Sequence, residues 1–89
     1  MKKVVIYTGD LCGFCFMAKN LLDSKNIAYQ EINISVEKHK KKEMSKLSGG
    51  KTSVPQIFIG RIHIGGFDEL HKLEREGKLK NFFNRKHDI

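Results

Sequence analysis

The chain has 89 residues, with 17 lysines and arginines against 10 aspartates and glutamates, so its formal net charge is +7 at pH 7. This length accommodates one compact domain, and we predict a single domain over residues 1–89. No run of about 18 apolar residues is present, which excludes a membrane-spanning segment. The N-terminal apolar run is too short for a secretory signal, so we expect a cytoplasmic protein.

Much of the positive charge lies in one stretch of the chain, on Lys38, Lys40, Lys41, Lys42, Lys46 and Lys51. A solvated helix face explains such a stretch, and attraction of anionic partners is the alternative. No aromatic residues alternate with these lysines and no nucleic-acid-binding motif is present, so we expect no nucleic-acid partner.

The hydrophobic pattern predicts seven elements in the order β-α-β-α-β-β-α. They are a strand at 3–8, a helix at 13–25, a strand at 27–34, a helix at 36–47, strands at 56–59 and 61–64, and a helical region that opens at 67 and continues past 77. The polar tail, residues 84–89, is predicted to be frayed. A βαβ start implies parallel neighbouring strands, and the later hairpin adds antiparallel ones. The predicted fold is therefore α/β, a four-stranded mixed sheet flanked by helices on both faces.

Two helices carry specific expectations about burial. The first places Cys15, Ala18 and Leu22 on one face, at the spacing of a buried helical stripe. In the second, Ser35 is the predicted N-cap, and Met44 and Leu47 are predicted to point inward.

Cys12 and Cys15 are the only cysteines, and they stand where the first strand gives way to the first helix. Residues three apart on a helix lie about 5–6 Å apart at Cβ, close to disulfide range. Unpaired N–H groups and the helix dipole favour a thiolate at the N-terminus, where the pKa of a cysteine falls from about 8.5 to roughly 3.5–7.5. Cys12 is therefore the predicted nucleophile and the inward-facing Cys15 the resolving thiol.

A zinc half-site and an inert pair of core cysteines are the alternatives for this motif. Zinc requires a second pair of ligands, and His39, His63, His71 and His87 do not show the H-x₃₋₅-H spacing of such a pair. A CxxC motif at a strand–helix junction of a βαβ unit favours redox chemistry instead.

Two further segments carry candidate binding residues. Pro55 cannot donate to a sheet ladder and marks the start of a strand, but the sequence leaves its cis or trans state open. Gly65-Gly66 precedes a helix whose first turn contains Asp68 and Glu69. This pattern fits plain capping, or an anion site whose N–H groups bind a carboxylate while Asp68 binds an ammonium. A ligand with both groups on one carbon is an amino-acid terminus.

Taken together, these segments resemble the glutaredoxin family over nearly the whole chain, most closely its short bacterial single-domain type. The matching segments are residues 4–8, 12–15, 53–59 and 64–69. The resemblance implies a thioredoxin fold, Pro55 in cis, and glutathione as cosubstrate. It also implies an enzyme that reduces protein disulfides and protein–glutathione mixed disulfides, with Cys12 attacking the mixed disulfide.

The resemblance also implies roles for residues around the cysteines. The backbone of Val54 would pair with the cysteinyl unit of glutathione. The N–H groups of Phe67 and Asp68, next to Gly66, would bind the γ-glutamyl carboxylate, and the Asp68 side chain would bind the ammonium. Phe14 falls off the buried face of its helix and would flank the groove.

The motif departs from the family pattern between its cysteines. Many dithiol members have Pro-Tyr there, whereas Gly13-Phe14 is typical of members in which a serine replaces the second cysteine, so the motif with Cys15 is a hybrid. This opens an alternative function, binding of a [2Fe–2S] cluster, which needs four thiolates. By analogy with the family, two chains would each supply Cys12 and two glutathiones the rest, in a dimer of an otherwise monomeric protein.

The family also places a lysine two or three residues before the motif, to bind the glycyl carboxylate of glutathione. Here Gly9 and Asp10 occupy that region. Lys41 or Lys42 of the second helix is the predicted substitute, because the lysine-rich stretch would attract anionic glutathione.

Overall fold

The computed structural model describes residues 2–83. Its elements are β1 (Val4–Thr8), α1 (Gly13–Ser24), β2 (Gln30–Asn33), α2 (Lys40–Leu47), β3 (Gln56–Ile59), β4 (Ile62–Gly65), α3 (Phe67–Arg75) and a 3₁₀ helix (Leu79–Phe82). The predicted order of elements is confirmed. The tail at 84–89, predicted to be frayed, lies outside the described residues. Within residues 2–83, no helix is long and apolar enough to cross a bilayer.

The four strands form one mixed sheet in the order β2-β1-β3-β4. β1 runs parallel to β2, as the βαβ pattern predicts, with Val5 opposite Gln30. β3 runs antiparallel to β1, with Ile6 opposite Ile57, and β4 runs antiparallel to β3. The hairpin between β3 and β4 turns at Gly60, whose φ of 59° lies in the left-handed region that glycine adopts readily. The predicted mixed sheet is therefore confirmed.

The two central strands, β1 and β3, are covered on both faces of the sheet, and their alternate residues point to opposite faces. One face packs against α1, α3 and the 3₁₀ helix through Val4, Ile6, Ile57, Ile59, Ala18, Leu22, Leu70 and Leu79. The other face packs against α2 through Tyr7, Ile32, Met44 and Phe58. Each fully buried aliphatic or aromatic side chain stabilises the fold by about 1.5–3 kcal/mol. Since β1 and β3 supply both clusters, the strands next to the site are held from both sides.

The prediction that Ser35 caps the second helix is wrong. The Ser35 hydroxyl accepts a hydrogen bond from the Asp10 N–H at 2.9 Å, and the Ser35 N–H donates to the Asn33 side chain at 2.8 Å. These contacts tie the segment after β2 to the loop after β1, so residues 34–39 form turns and α2 begins only at Lys40.

The prediction that Leu47 points inward is also wrong, since this residue is 56% exposed. Met44 is fully buried, and Ser48, four residues further on, takes the next buried position. The Ser48 hydroxyl accepts a hydrogen bond from the Lys51 N–H at 3.2 Å. Ser48 thus takes the buried position after Met44, because its hydroxyl accepts a hydrogen bond from the backbone of the loop that follows α2.

Two elements are shorter in the structure than the sequence predicts. β2 begins at Gln30, not at Ile27, because Asn26 adopts a left-handed conformation (φ 57°) and the Ile27 N–H bonds back to the Leu22 carbonyl at 3.0 Å. The last helical segment is only one 3₁₀ turn after Gly77, whose φ is 68°.

Candidate active site

Cys12 caps the N-terminus of α1. Its backbone is extended (φ −110°, ψ 99°), and its Sγ accepts a hydrogen bond from the Cys15 N–H at 3.1 Å. The two cysteines are joined by a disulfide, with their Cα atoms 5.2 Å apart. In the reduced protein the same N–H would face a thiolate, and hydrogen bonds to a charged acceptor are about twice as strong as neutral ones. The helix start therefore both permits the disulfide and favours the charged form of residue 12.

The two sulfurs differ in exposure. Cys15 is 3% exposed and lies on the same face of α1 as the buried Ala18 and Leu22. Cys12 is only partly buried. The predicted burial of Cys15 is therefore confirmed, and the roles of Cys12 as nucleophile and Cys15 as resolving thiol remain predictions.

The loop before β3 lies directly against the disulfide. The Val54–Pro55 peptide bond is cis, as the family resemblance implies, and the Val54 carbonyl oxygen lies 3.7 Å from Cys12 Sγ. A Cβ atom added to Gly9 would lie 3.2 Å from Cγ2 of Val54. A larger residue at position 9 would therefore press on this loop.

A groove of about 390 Å³ runs alongside the loop. Its walls are Phe14, Lys51, residues 53–56 and residues 63–69. Six residues predicted to bind glutathione line it, namely Phe14, Val54, Pro55, Gly66, Phe67 and Asp68. Lys41, predicted from the second helix, is not among the lining residues, whereas Lys51 is.

The N-terminus of α3 forms one end of the groove. Glu69 Oε1 accepts a hydrogen bond from the Gly66 N–H at 2.7 Å, so the helix is capped by its own side chain. A Cβ atom added to Gly65 would lie 2.7 Å from the same oxygen, which explains the glycine, as does its φ of 121°. The N–H groups of Phe67 and Asp68 belong to the first turn, where no carbonyl four residues back is available within a helix.

Aromatic rings form a stack beside the groove. Phe14 is 58% exposed, as predicted, and its ring lies 6.1 Å from that of Phe67, inclined by 25°. The Phe67 ring stacks in turn on His71, at 5.4 Å and 9°. His71 follows Phe67 by four residues on α3, a spacing that puts two side chains on the same helix face.

Sequence reasoning missed Lys51 and assigned His63 no role beyond that of a zinc candidate. Lys51 stands in a glycine-containing loop and His63 in a strand. Neither residue belongs to a sequence motif that would mark it as part of the groove. In residues 2–83, no group of three or more His, Cys, Asp and Glu side chains lies close enough to hold a metal ion. His87, the fourth zinc candidate, lies outside the described residues.

Sequence comparison places the chain among known redox proteins. A sequence model of the family "Glutaredoxin" matches residues 4–64. Glutaredoxin 1 of Rickettsia prowazekii is 49% identical over 77 residues, which are 85% of this chain and 81% of that protein. Glutaredoxin 3 of Escherichia coli is 48% identical over 79 residues, which are 89% of this chain and 94% of that protein.

Solved structures of glutaredoxins also resemble the fold of this chain. A buckwheat glutaredoxin–glutathione complex superposes with a TM-score of 0.80 at 31% identity, covering 91% of this chain and 76% of that one. The solution structure of a glutaredoxin from Brucella melitensis gives 0.78 at 44% identity, covering 91% and 87%. The fold is the thioredoxin fold, and Cys12 and Cys15 form the redox-active pair of a thiol–disulfide oxidoreductase. The chain belongs to the glutaredoxin family.

Proposed function

We propose that this protein uses glutathione to reduce protein disulfides and protein–glutathione mixed disulfides. The observation that carries the proposal is the pairing of a reachable Cys12 at a helix N-terminus with a buried Cys15, beside a groove with charged residues of both signs. A buckwheat relative has been solved as a glutathione complex, which supports the same ligand here.

Reduction of a mixed disulfide needs only Cys12. Its thiolate attacks the glutathione sulfur, a Cys12–glutathione disulfide forms, and the target protein leaves as a thiolate that takes up a proton. The thiolate of a second glutathione then attacks the glutathione sulfur on Cys12. This releases oxidised glutathione and regenerates the Cys12 thiolate.

Reduction of a protein disulfide needs both cysteines. Cys12 attacks one sulfur of the target, and the other sulfur leaves as a thiolate. The Cys15 thiolate then attacks Cys12 Sγ, which releases the fully reduced target and leaves the Cys12–Cys15 disulfide. Two glutathiones, oxidised to their disulfide, return the enzyme to the dithiol.

The groove offers complementary groups to each part of glutathione. The backbone of Val54 pairs with the cysteinyl unit, next to Cys12. The N–H groups of Phe67 and Asp68 bind the γ-glutamyl carboxylate, with the Asp68 carboxylate near its ammonium and Phe14 flanking the chain. For the glycyl carboxylate we favour Lys51 over Lys41, since Lys51 lines the groove.

The cysteine variants test this division of roles. Cys15→Ser should retain deglutathionylation in an assay coupled to glutathione reductase, and should lose glutathione-driven reduction of a peptide disulfide. Cys12→Ser should lose both activities. Loss of both activities in Cys15→Ser, with the fold intact by circular dichroism, would show that the proposed roles are wrong.

A second candidate function is binding of a [2Fe–2S] cluster between two chains. Gly13 favours it, because a Cβ atom added there would meet no atom within 4 Å outside its chain neighbours, so the position after Cys12 leaves open space. The described part of one chain supplies only one reachable thiolate, and Cys15 is buried. Two chains and two glutathiones would complete the four sulfur ligands. The cluster would serve as a group to be bound and transferred.

Anaerobic reconstitution with iron, sulfide and glutathione tests the second candidate. Visible absorption of a cluster, together with a dimer in size-exclusion chromatography, is the expected result. A colourless monomer would eliminate it. Cys12→Ser is the matched control, since it removes the only reachable ligand.

We propose a cytoplasmic location for the enzyme. Its two cysteines form one reactive pair and supply no structural disulfides, as is typical of proteins in a reducing compartment. Its working partners would be glutathione and disulfide-containing proteins.

A further inference from the structure

We propose that His63 is a positioning residue of the active site, which acts through the buried side chain of Gln56 to hold the loop that contacts Cys12. The inference rests on the proposed glutathione-dependent function. It concerns the wall of the groove where Gln56 and His63 lie next to the loop at residues 53–55.

The Gln56 amide is the centre of this arrangement. It is only 4% exposed, and its Nε2 donates to the Ser53 carbonyl oxygen at 3.1 Å and to the Ser53 hydroxyl at 3.3 Å. Its Oε1 lies 2.6 Å from Nε2 of His63. A backbone carbonyl only accepts hydrogen bonds, so the amide nitrogen must face Ser53 and the amide oxygen must face His63.

This orientation fixes the proton on the imidazole. An amide oxygen cannot donate, so Nε2 of His63 must carry the hydrogen. The opposite neutral tautomer would direct two lone pairs at each other. A buried amide oxygen without a donor is costly, so the network holds together only with the hydrogen at Nε2.

The histidine is itself held in place. It stands on β4 opposite Phe58 of β3, and the two rings lie 4.9 Å apart. The hydrogen bonds therefore run from a strand of the sheet to the loop, and they end at Ser53, the residue before Val54. The Val54 carbonyl oxygen is 3.7 Å from Cys12 Sγ, so a displaced loop alters both the sulfur contact and the groove wall.

Two substitutions separate the hydrogen bond from the packing. His63→Phe keeps a ring against Phe58 but removes the donor. His63→Gln loses the ring but places an amide N–H at a similar reach. In the glutathione-coupled assay, His63→Phe should raise KM for a glutathionylated peptide about tenfold, with a smaller change in kcat. His63→Gln should restore KM to within about twofold of the wild-type value. An equal KM in His63→Phe and wild type, or failure of His63→Gln to restore it, would overturn the proposal.

A spectroscopic readout separates this inference from the proposed function. In protein labelled with ¹⁵N-histidine, the chemical shifts of the two ring nitrogens of His63 identify which of them carries the hydrogen. We expect the Nε2–H form for His63, and the Nδ1–H form would overturn the inference whatever the activity. A wild-type protein inactive with glutathione but carrying the Nε2–H form would refute the function and leave the positioning network standing.

Discussion

Lys51, which we propose in place of the family's usual lysine, is favoured by its position on the groove wall. Lys51 and Lys41 carry the same charge, but only Lys51 lines the groove that contains Val54 and Asp68. A carboxylate bound in the groove should therefore interact more strongly with Lys51 than with Lys41. Because Lys51 is exposed to solvent, this ion pair should add little to the free energy of binding.

We predict that Lys51→Gln raises KM for glutathione about three- to fivefold with little change in kcat. The physical reason is the loss of one ion pair with the glycyl carboxylate, and the effect should shrink at high salt. Lys41→Gln is the matched control, because it removes the same charge outside the groove. Steady-state kinetics of both variants decide the matter. A larger effect of Lys41→Gln would restore the assignment that the sequence alone favoured.

For single residues, sequence patterns predicted correctly the positions that depend on near neighbours in the chain. Cys12, Cys15 and Phe14 were located from helix periodicity and the motif, and the structure places them as expected. The contact between Gln56 and His63 was not predictable. It depends on the antiparallel register of two strands, and a separation of seven residues carries no signal by itself.

Between elements, β1 and α2 are joined by a charged hydrogen bond. The Tyr7 hydroxyl donates to the Glu43 carboxylate, which also pairs with Lys40. The hydrogen bond from Tyr7 lowers the pKa of Glu43, with help from Lys40 and His39, while partial burial opposes the shift. Burial and the neighbouring carboxylate both raise the pKa of Tyr7, so it stays protonated and remains a donor.

A carboxyl group whose pKa is lowered by folding stabilises the protein above its unfolded pKa, here about 4.5, and loses that contribution as the pH falls through its folded pKa. We predict that Tyr7→Phe lowers the free energy of unfolding by about 1–2 kcal/mol at pH 7 and by less at pH 3, because the contribution declines as the pH falls toward the folded pKa of Glu43. Urea denaturation at both pH values measures the difference. In a double-mutant cycle with Glu43→Gln, coupling that persists unchanged at pH 3 would contradict this account.

The elements themselves were largely predictable, because the hydrophobic period differs between strand and helix. The start of α2 was not, since Ser35 is a good N-cap by type but is held by Asp10 from another loop. Leu47 was misplaced for a related reason. Ser48 takes the buried position by hydrogen bonding to the following loop, which the periodicity of the helix does not reveal.

For the whole molecule, we propose that residues 1–89 form one cooperative domain. The two hydrophobic clusters lie on opposite faces of one sheet, and strand β1 contributes Ile6 to one and Tyr7 to the other. Disruption of either cluster should therefore loosen the sheet that both share.

The paired substitutions Ile57→Val and Ile32→Val test this proposal, one in each cluster. Each should lower the free energy of unfolding by about 1 kcal/mol and leave a single transition. Far-ultraviolet circular dichroism and tyrosine fluorescence, recorded on the same urea series, should give coincident curves in both variants. Separate transitions for the two probes would show that the clusters unfold independently.

The proposed chemistry depends most on activation of the Cys12 thiol at the N-terminus of α1. The direct measurement is the rate of alkylation of Cys12 as a function of pH in the reduced Cys15→Ser variant, which retains the backbone N–H of residue 15 and leaves one thiol to react. The helix N-terminus and that N–H predict a midpoint of roughly 3.5–7.5, well below the ordinary cysteine pKa of about 8.5. A midpoint at or above 8.5 would contradict the claim that this residue is the activated nucleophile.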